Sequence, residues 1–248
     1  MKGVDVSHYQ KDLTIRQIKA VGCDFAIIKV TEGAWIVDAA AFDFYREAYE
    51  MGFPVGCYCY SHATTTEEAR SEAQFLLNTI NKFPMPCGVF LDIEEPKQLG
   101  LSKKKLIEIV EAWCGAIRAE GYTPGIYGSE GTIWAKLGPS QPGSDALVWV
   151  AHYGKQPDVP CDLWQSSDSG NIGGVTVDTD EVRSDRLKAL VKRGFVSSKL
   201  AASTASPEGK ASIISGISET LNMLARYLRT DEFIREFSDY IQRSEVPE

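Results

Sequence analysis

The sequence predicts an α/β fold: an irregular barrel of about eight strands, only the first five or six followed by helices, with a small α-helical region at the C-terminus. Short apolar runs rich in β-formers alternate with amphipathic helical stretches through the first two thirds of the 248 residues, the pattern of parallel strands joined by crossover helices. The alternation then stops, because residues 162–166 and 174–178 are separated by a loop holding Asn171 and Gly173-Gly174 that has no room for a helix. Three of the strand runs also end in an acid, as strands converging on one mouth of a barrel would.

Gly3-Val4-Asp5-Val6-Ser7 is the first strand, and residues 25–30 the second, followed by a helix over 39–51. Residues 54–60 precede a helix over 66–81. Val89 to Asp92 then leads to a helix over 102–120, where Ser102 is suited to the N-cap and Gly121 to the stop. Pro124-Gly125-Ile126-Tyr127 and residues 146–151 continue the rhythm, and 162–166 and 174–178 close the sheet as antiparallel or irregular strands.

A hydrophobic content of 44% and this length allow one large core in a single barrel domain. The net charge of −8 argues against nucleic acid, whose phosphates demand a basic surface. No apolar run approaches the roughly 20 residues that cross a bilayer, so membrane insertion is not expected. Met1-Lys2 runs straight into the first strand without an apolar leader, which predicts a chain made in the cytosol without a signal peptide. Cys23, Cys57, Cys59, Cys87, Cys114 and Cys161 read as reduced core residues; Cys57-x-Cys59 lacks the spacing of a zinc site, and no metal or cofactor is expected.

The chemistry is concentrated in Val89-Phe90-Leu91-Asp92-Ile93-Glu94-Glu95, an apolar run that ends in acid. Alternation along a strand sets Asp92 and Glu94 on one face. Carboxyls that close repel each other, and a carboxyl that keeps its proton near neutral pH is a general acid. Asp5 and Asp178 close two other predicted strands and converge on the same mouth. Acids after a strand also serve as helix caps or solvated surface, so the set as a whole carries the argument. His62 and His152 have no acid at ligand spacing in the sequence, and His8, close to Asp5, reads as a surface or packing residue.

Taken in order, Asp5-Val6-Ser7-x-x-Gln10, Lys29-x-Thr31-Glu32-Gly33, Tyr58-x-Tyr60, Asp92-x-Glu94, Trp149-x-Ala151-x-Tyr153, Trp164-Gln165 and Asp178 resemble the family 25 glycoside hydrolases, the lysozymes of bacteria, phages and fungi, over about residues 3–190. The resemblance implies an irregular TIM-like (β/α)5(β)3 barrel that hydrolyses the β-1,4 bond between N-acetylmuramic acid and N-acetylglucosamine in peptidoglycan. It makes Glu94 the general acid and Asp92 its partner. Asp92 then either polarises the substrate's 2-acetamido group, with Tyr127 donating a hydrogen bond to it, or leaves Asp5 or Asp178 to activate water in an inverting route. Tyr58, Tyr60, Tyr127, Trp149, Tyr153 and Trp164 fit a sugar cleft as well as a core, with Lys29 and Gln165 as hydrogen-bonding groups, and the family pattern favours Tyr60, Tyr127 and Trp164. A chitinase-like hydrolase and a non-catalytic wall-binding barrel are the alternatives. Without an export signal, such an enzyme suits a phage endolysin held in the host cytoplasm until the membrane is permeabilised and then acting on the cell wall; an autolysin released by another route reads the same way.

Beyond residue 195 the composition turns small and polar, with Pro207 and Gly209, and residues 196–210 read as a linker after a catalytic barrel over 1–195. Ile214, Ile217, Leu221, Leu224 and Leu228 then form one apolar stripe, Thr230-Asp231 interrupts it, and Phe233, Ile234, Phe237, Tyr240 and Ile241 suggest a second helix. Two helices totalling about 35 residues bury too little to stand alone. The hairpin over 211–248 is therefore expected to pack on the barrel, on a second copy to give a homo-oligomer, or on a wall component.

Overall fold

The computed structural model describes residues 1–138 and 145–194. The expected linker and helical hairpin lie outside them. The chain runs β1 (Lys2–Val6), a 3-10 turn over His8–Gln10, α1 (Ile15–Ala20), β2 (Phe25–Glu32), β3 (Ile36–Val37), α2 (Ala41–Met51), β4 (Val55–Tyr60), α3 (Thr66–Ile80), β5 (Val89–Asp92), α4 (Pro96–Leu99), α5 (Lys103–Ala119), β6 (Pro124–Ser129), a π-helical turn over Glu130–Trp134, α6 (Ala135–Leu137), β7 (Leu147–Ala151), β8 (Leu163–Ile172), β9 (Val175–Val182) and α7 (Asp185–Arg193). Eight strands, all but β3, close a barrel. Neighbours from β1 through β8 pair in parallel, while β9 is antiparallel to both β8 and β1. Helical segments follow β1, β2, β4, β5 and β6, and β7 reaches β8 through a loop, which gives the expected five crossovers and three further strands. No helix among the described residues is long and apolar enough to cross a membrane.

Local chemistry explains most boundaries. Thr65 accepts from the Glu68 amide and Glu68 answers with a hydrogen bond from the Thr65 amide, a reciprocal cap that starts α3. Ser102 caps α5 through the Lys105 amide, and Gly121 at φ +83° turns the chain after it. Helix α1 is an element beyond those expected; it is six residues long, buries only Ile15 and Ile18, and its first amides are capped from α2 by Glu47, which accepts from the amides of Ile15 (2.8 Å) and Arg16 (3.2 Å).

The barrel interior is filled by Phe25, Ile27, Phe90, Leu147, Trp149 and Leu163, and Leu187 and Val191 of α7 join this core. Large rings fit because facing positions are small. A Cβ on Gly125 would lie 2.3 Å from Phe90 Cδ1, and one on Gly3 2.5 Å from Phe25 Cζ. Cys57, Cys59, Cys87 and Cys114 are buried free thiols, and Cys23 and Cys161 are half-buried.

Two strands run longer than expected. β8 continues from Leu163 to Ile172 through polar residues, and β9 from Val175 to Val182. Asp178 therefore lies inside β9 rather than at its end, in register with Asp5. β7 pairs with β8 only as far as Gln165, and β1 with β9 only from Asp178, so beyond that level β8 and β9 pair with each other alone as a projecting hairpin.

Candidate active site

β5 delivers Asp92 to the mouth of the barrel and ends there, 4% exposed. The chain stays extended for one more step, because the Asp92 carbonyl accepts from the Ser61 amide and the Ile93 amide donates to the Tyr127 carbonyl. Parity is thus kept without a strand: Ile93 is buried, and Glu94 stands at the exposed rim above Asp92. Burial, then the charge of Glu94, pushes Asp92 well above the carboxylate range, with Lys29 opposing. Desolvation at the mouth, opposed by Lys29, raises Glu94. Asp92 Oδ1 finds no hydrogen-bond partner among the described residues.

On the opposite wall, β1, β8 and β9 bring Asp5, Gln165 and Asp178 together. Gln165 is the hub, because its Nε2 donates to Asp5 Oδ2 (2.8 Å) and Asp178 Oδ2 (3.1 Å), while its Oε1 accepts from the hydroxyls of Tyr127 (2.8 Å) and Tyr153 (3.0 Å). Burial and the charge of Asp178 lift Asp5 to about 7 against the Gln165 hydrogen bond. Asp178 is raised by burial and then by Asp168. Below them, Asp180 is 1% exposed and accepts from Trp149 Nε1 (2.9 Å); burial and the charge of Asp5 hold it far above the usual range. Sequence reasoning missed Asp180 because it ended the strand at Asp178, and the alternation Asp178-x-Asp180 was the available signal.

The third wall comes from β2 and β4. Lys29 Nζ donates to Glu32 Oε2 (2.7 Å) and lies 5.0 Å from the centre of the Tyr60 ring. The Tyr60 hydroxyl donates to Glu95 Oε1 (3.0 Å). His62 faces Glu32 and Glu95, so it does have acidic neighbours, brought by the fold from 30 and 33 residues away (62−32 and 95−62) rather than by local spacing. The same holds for His152, whose Nδ1 contacts Glu130, and for His8, whose Nδ1 lies 2.8 Å from buried Asp38. Burial raises Glu32, but hydrogen bonds from His62 and Lys29 outweigh it and hold Glu32 at about 2.

The aromatic expectations divide. Tyr60, Tyr127 and Tyr153 line the mouth through the contacts just given, and Tyr153 is 46% exposed. Trp149 is 1% exposed and meets Tyr58, Phe90 and Tyr127 with centroids 6.1, 5.2 and 4.5 Å away, so it is a plug under the acids rather than an open platform. Tyr58 is half-buried beside it, and burial, then the charges of Asp5 and Asp92, raise its phenol. Trp164 is not brought to the acids. Gln165 points inward, so its neighbour points outward by alternation; Trp164 Nε1 donates to the His152 carbonyl (2.7 Å) and Arg183 lies over its ring at 5.4 Å.

The arrangement can hold a proton at an exposed carboxyl while a second, buried carboxyl lies beneath it and a cation sits beside both. Such an arrangement has the chemistry that acid catalysis requires, at a polar mouth edged by aromatic rings. Residues 4–175 match the family described as Glycosyl hydrolases family 25. The autolytic lysozyme of Clostridium acetobutylicum is 28% identical over 73% of this chain and 54% of its own length. Lysozyme M1 of Streptomyces globisporus is 29% identical over 73% of this chain and 66% of its own, so the chain spans about half to two thirds of these two relatives. The crystal structure of the bacterial lysozyme from Streptomyces coelicolor superposes with a TM-score of 0.64, covering 78% of this chain and 97% of that one at 27% identity.

Proposed function

The chain belongs to the glycosyl hydrolases of family 25, and from that premise we propose that it is a peptidoglycan hydrolase cleaving the β-1,4 bond between N-acetylmuramic acid and N-acetylglucosamine. The observation that carries the reading is the pair of acids at unequal depth: Glu94 exposed with a raised pKa, Asp92 buried below it with a carboxylate oxygen unpartnered among the described residues. Glu94 protonates the departing glycosidic oxygen, and Asp92 orients and polarises the substrate's acetamido group as it attacks the anomeric carbon. The Tyr127 hydroxyl, held by Gln165, is buried beside Trp149, and its hydrogen bond must turn from Gln165 to reach an acetamide. Asp5 and Asp178, tied to Gln165, set the charge of the opposite wall. Lys29, Tyr60 and Tyr153 bind the saccharide at the rim.

The biological setting that fits is lysis of a host cell: an endolysin kept in the cytoplasm until the membrane is permeabilised, then acting on the wall, with residues 211–248 serving wall binding or self-association. The test is to incubate the protein and its Glu94→Gln variant with purified Gram-positive peptidoglycan, reduce with borohydride and identify the new ends by mass spectrometry. New muramic ends from the parent, with the variant slower by roughly two orders of magnitude or more but equally folded, are expected. Chitin-type ends, or undiminished activity in the variant, would overturn the assignment.

A further inference from the structure

The β2–β4 rim carries one ionisable group that the scheme above leaves idle. His62 sets Nε2 3.2 Å from Glu32 Oε1 and Nδ1 3.4 Å from Glu95 Oε1. Each carboxylate also holds a rim group that reaches toward Asp92 and Glu94, since Glu32 accepts from Lys29 Nζ and Glu95 from the Tyr60 hydroxyl. The ring of contacts closes where Lys29 Nζ lies over Tyr60. Trp35 stacks on His62 with centroids 5.3 Å apart and planes at 28°, and Tyr60 meets it edge-on at 5.3 Å. From α3, buried Glu72 accepts from the His62 amide at 2.9 Å. The charged and titratable groups facing His62 are therefore Glu32 from β2, Glu95 ahead of α4, Glu72 from α3 and Tyr60 from β4, with Lys29 behind Glu32.

The chemistry of the imidazole decides what this can do. Glu32, held at about 2, is ionised and only accepts hydrogen bonds, and Glu95 Oε1 already accepts one from the Tyr60 hydroxyl. A neutral imidazole that donates from Nε2 to Glu32 turns the lone pair of Nδ1 on Glu95; only the imidazolium keeps the hydrogen bond to Glu32 and also sets a positive N–H against Glu95 as an ion pair. We propose that His62, in its imidazolium form, is a positioning residue that clamps Glu32 and Glu95, and through them holds Lys29 and Tyr60 in place for the saccharide bound beside Glu94. This rests on the hydrolase reading above. The hydrogen bond to Glu32 raises His62 above its ordinary 6.5 while burial opposes, so the clamp is closed on the acid side of the His62 titration and opens as the pH rises through it.

The test measures kcat and KM on solubilised glycan strands across the His62 titration, which is followed by NMR and is resolvable because the chain has only three histidines. Loss of the proton is expected to raise KM by roughly fivefold, the effect of one partly exposed charge-assisted hydrogen bond, with kcat much less affected. His62→Gln carries one donor group and one acceptor, as the neutral ring does, and is expected to show the raised KM at every pH with no titration. Glu32→Gln is expected to lower the His62 midpoint. A parent KM that is flat through the His62 titration, or a His62→Gln profile that matches the parent's, overturns the proposal while leaving the hydrolase reading intact. If the parent cleaves no glycan, that reading fails, and the clamp is decided by NMR alone: Lys29 and Tyr60 resonances that move with His62 support it, and unmoved ones overturn it.

Discussion

Asp5 shares its wall with Asp178 and Asp180, and its pKa of about 7 fixes the direction in which pH acts on the fold. A carboxyl raised on folding binds its proton more tightly in the folded chain than in the unfolded one. Between the ordinary 3.8 and about 7, folding takes up a proton, so this group's contribution to stability is fullest below 3.8 and is lost as the pH rises through that window. Asp5→Asn, which keeps an oxygen to accept from Gln165, should stabilise the protein by about 1–3 kcal/mol at pH 7.5 and leave it unchanged at pH 3.5. Thermal melts of both proteins at the two pH values check this; equal melting points at pH 7.5 would mean that Asp5 carries no such penalty. Residue roles were the least legible part of the sequence. Asp5, Asp92, Glu94 and Asp178 were visible because apolar runs ended in acid. One step of alternation turns Trp164 away from the acids, and the partners of His62 come from segments distant in sequence.

The loop from β7 to β8 takes the place of a crossover helix and needs another source of order. Glu130, in the π-helical turn after β6, supplies it: its Oε1 accepts from the amides of Asp158 (2.6 Å) and Val159 (2.8 Å), and its Oε2 contacts His152 Nδ1. Glu130→Ala leaves two loop amides without their acceptor. The expected cost is about 1–3 kcal/mol, with faster amide hydrogen exchange confined to residues 152–160; exchange that stays at the parent's rates would show that the loop is held by other contacts. Elements of this kind explain what the sequence showed and hid. Strands of the parallel part were legible because they are buried on both faces and read as continuous apolar runs. The outer halves of β8 and β9 were not, since Ser166 to Asn171 are polar and owe their pairing to the hairpin rather than to burial. Helix α1 escaped because six residues with two buried side chains make too short a periodic pattern.

At the scale of the molecule, five crossovers followed by three further strands follow from one legible fact: nothing between residues 166 and 174 could hold a helix. The last strand therefore returns antiparallel, and α7 after it joins the barrel core through Leu187 and Val191. Removing residues 196–248 should leave that core whole. The shortened chain is expected to melt within about 2 °C of the parent, under roughly 1 kcal/mol for a domain of this size, and to cleave soluble glycan at the parent's rate while losing wall binding or self-association. Melting curves, a sedimentation assay on purified walls and analytical ultracentrifugation check it, and an unfolded product would make the tail part of the barrel's own support. The antiparallel return also has a consequence for how such a chain diversifies. Past Gln165 and Asp178, β8 and β9 answer to no neighbouring strand, so the tip at Asn171 to Gly174 can be lengthened, shortened or exchanged without renegotiating closure of the barrel. One margin of the barrel mouth is thereby a detachable parapet, whose height can change while the acids at its foot stay where they are.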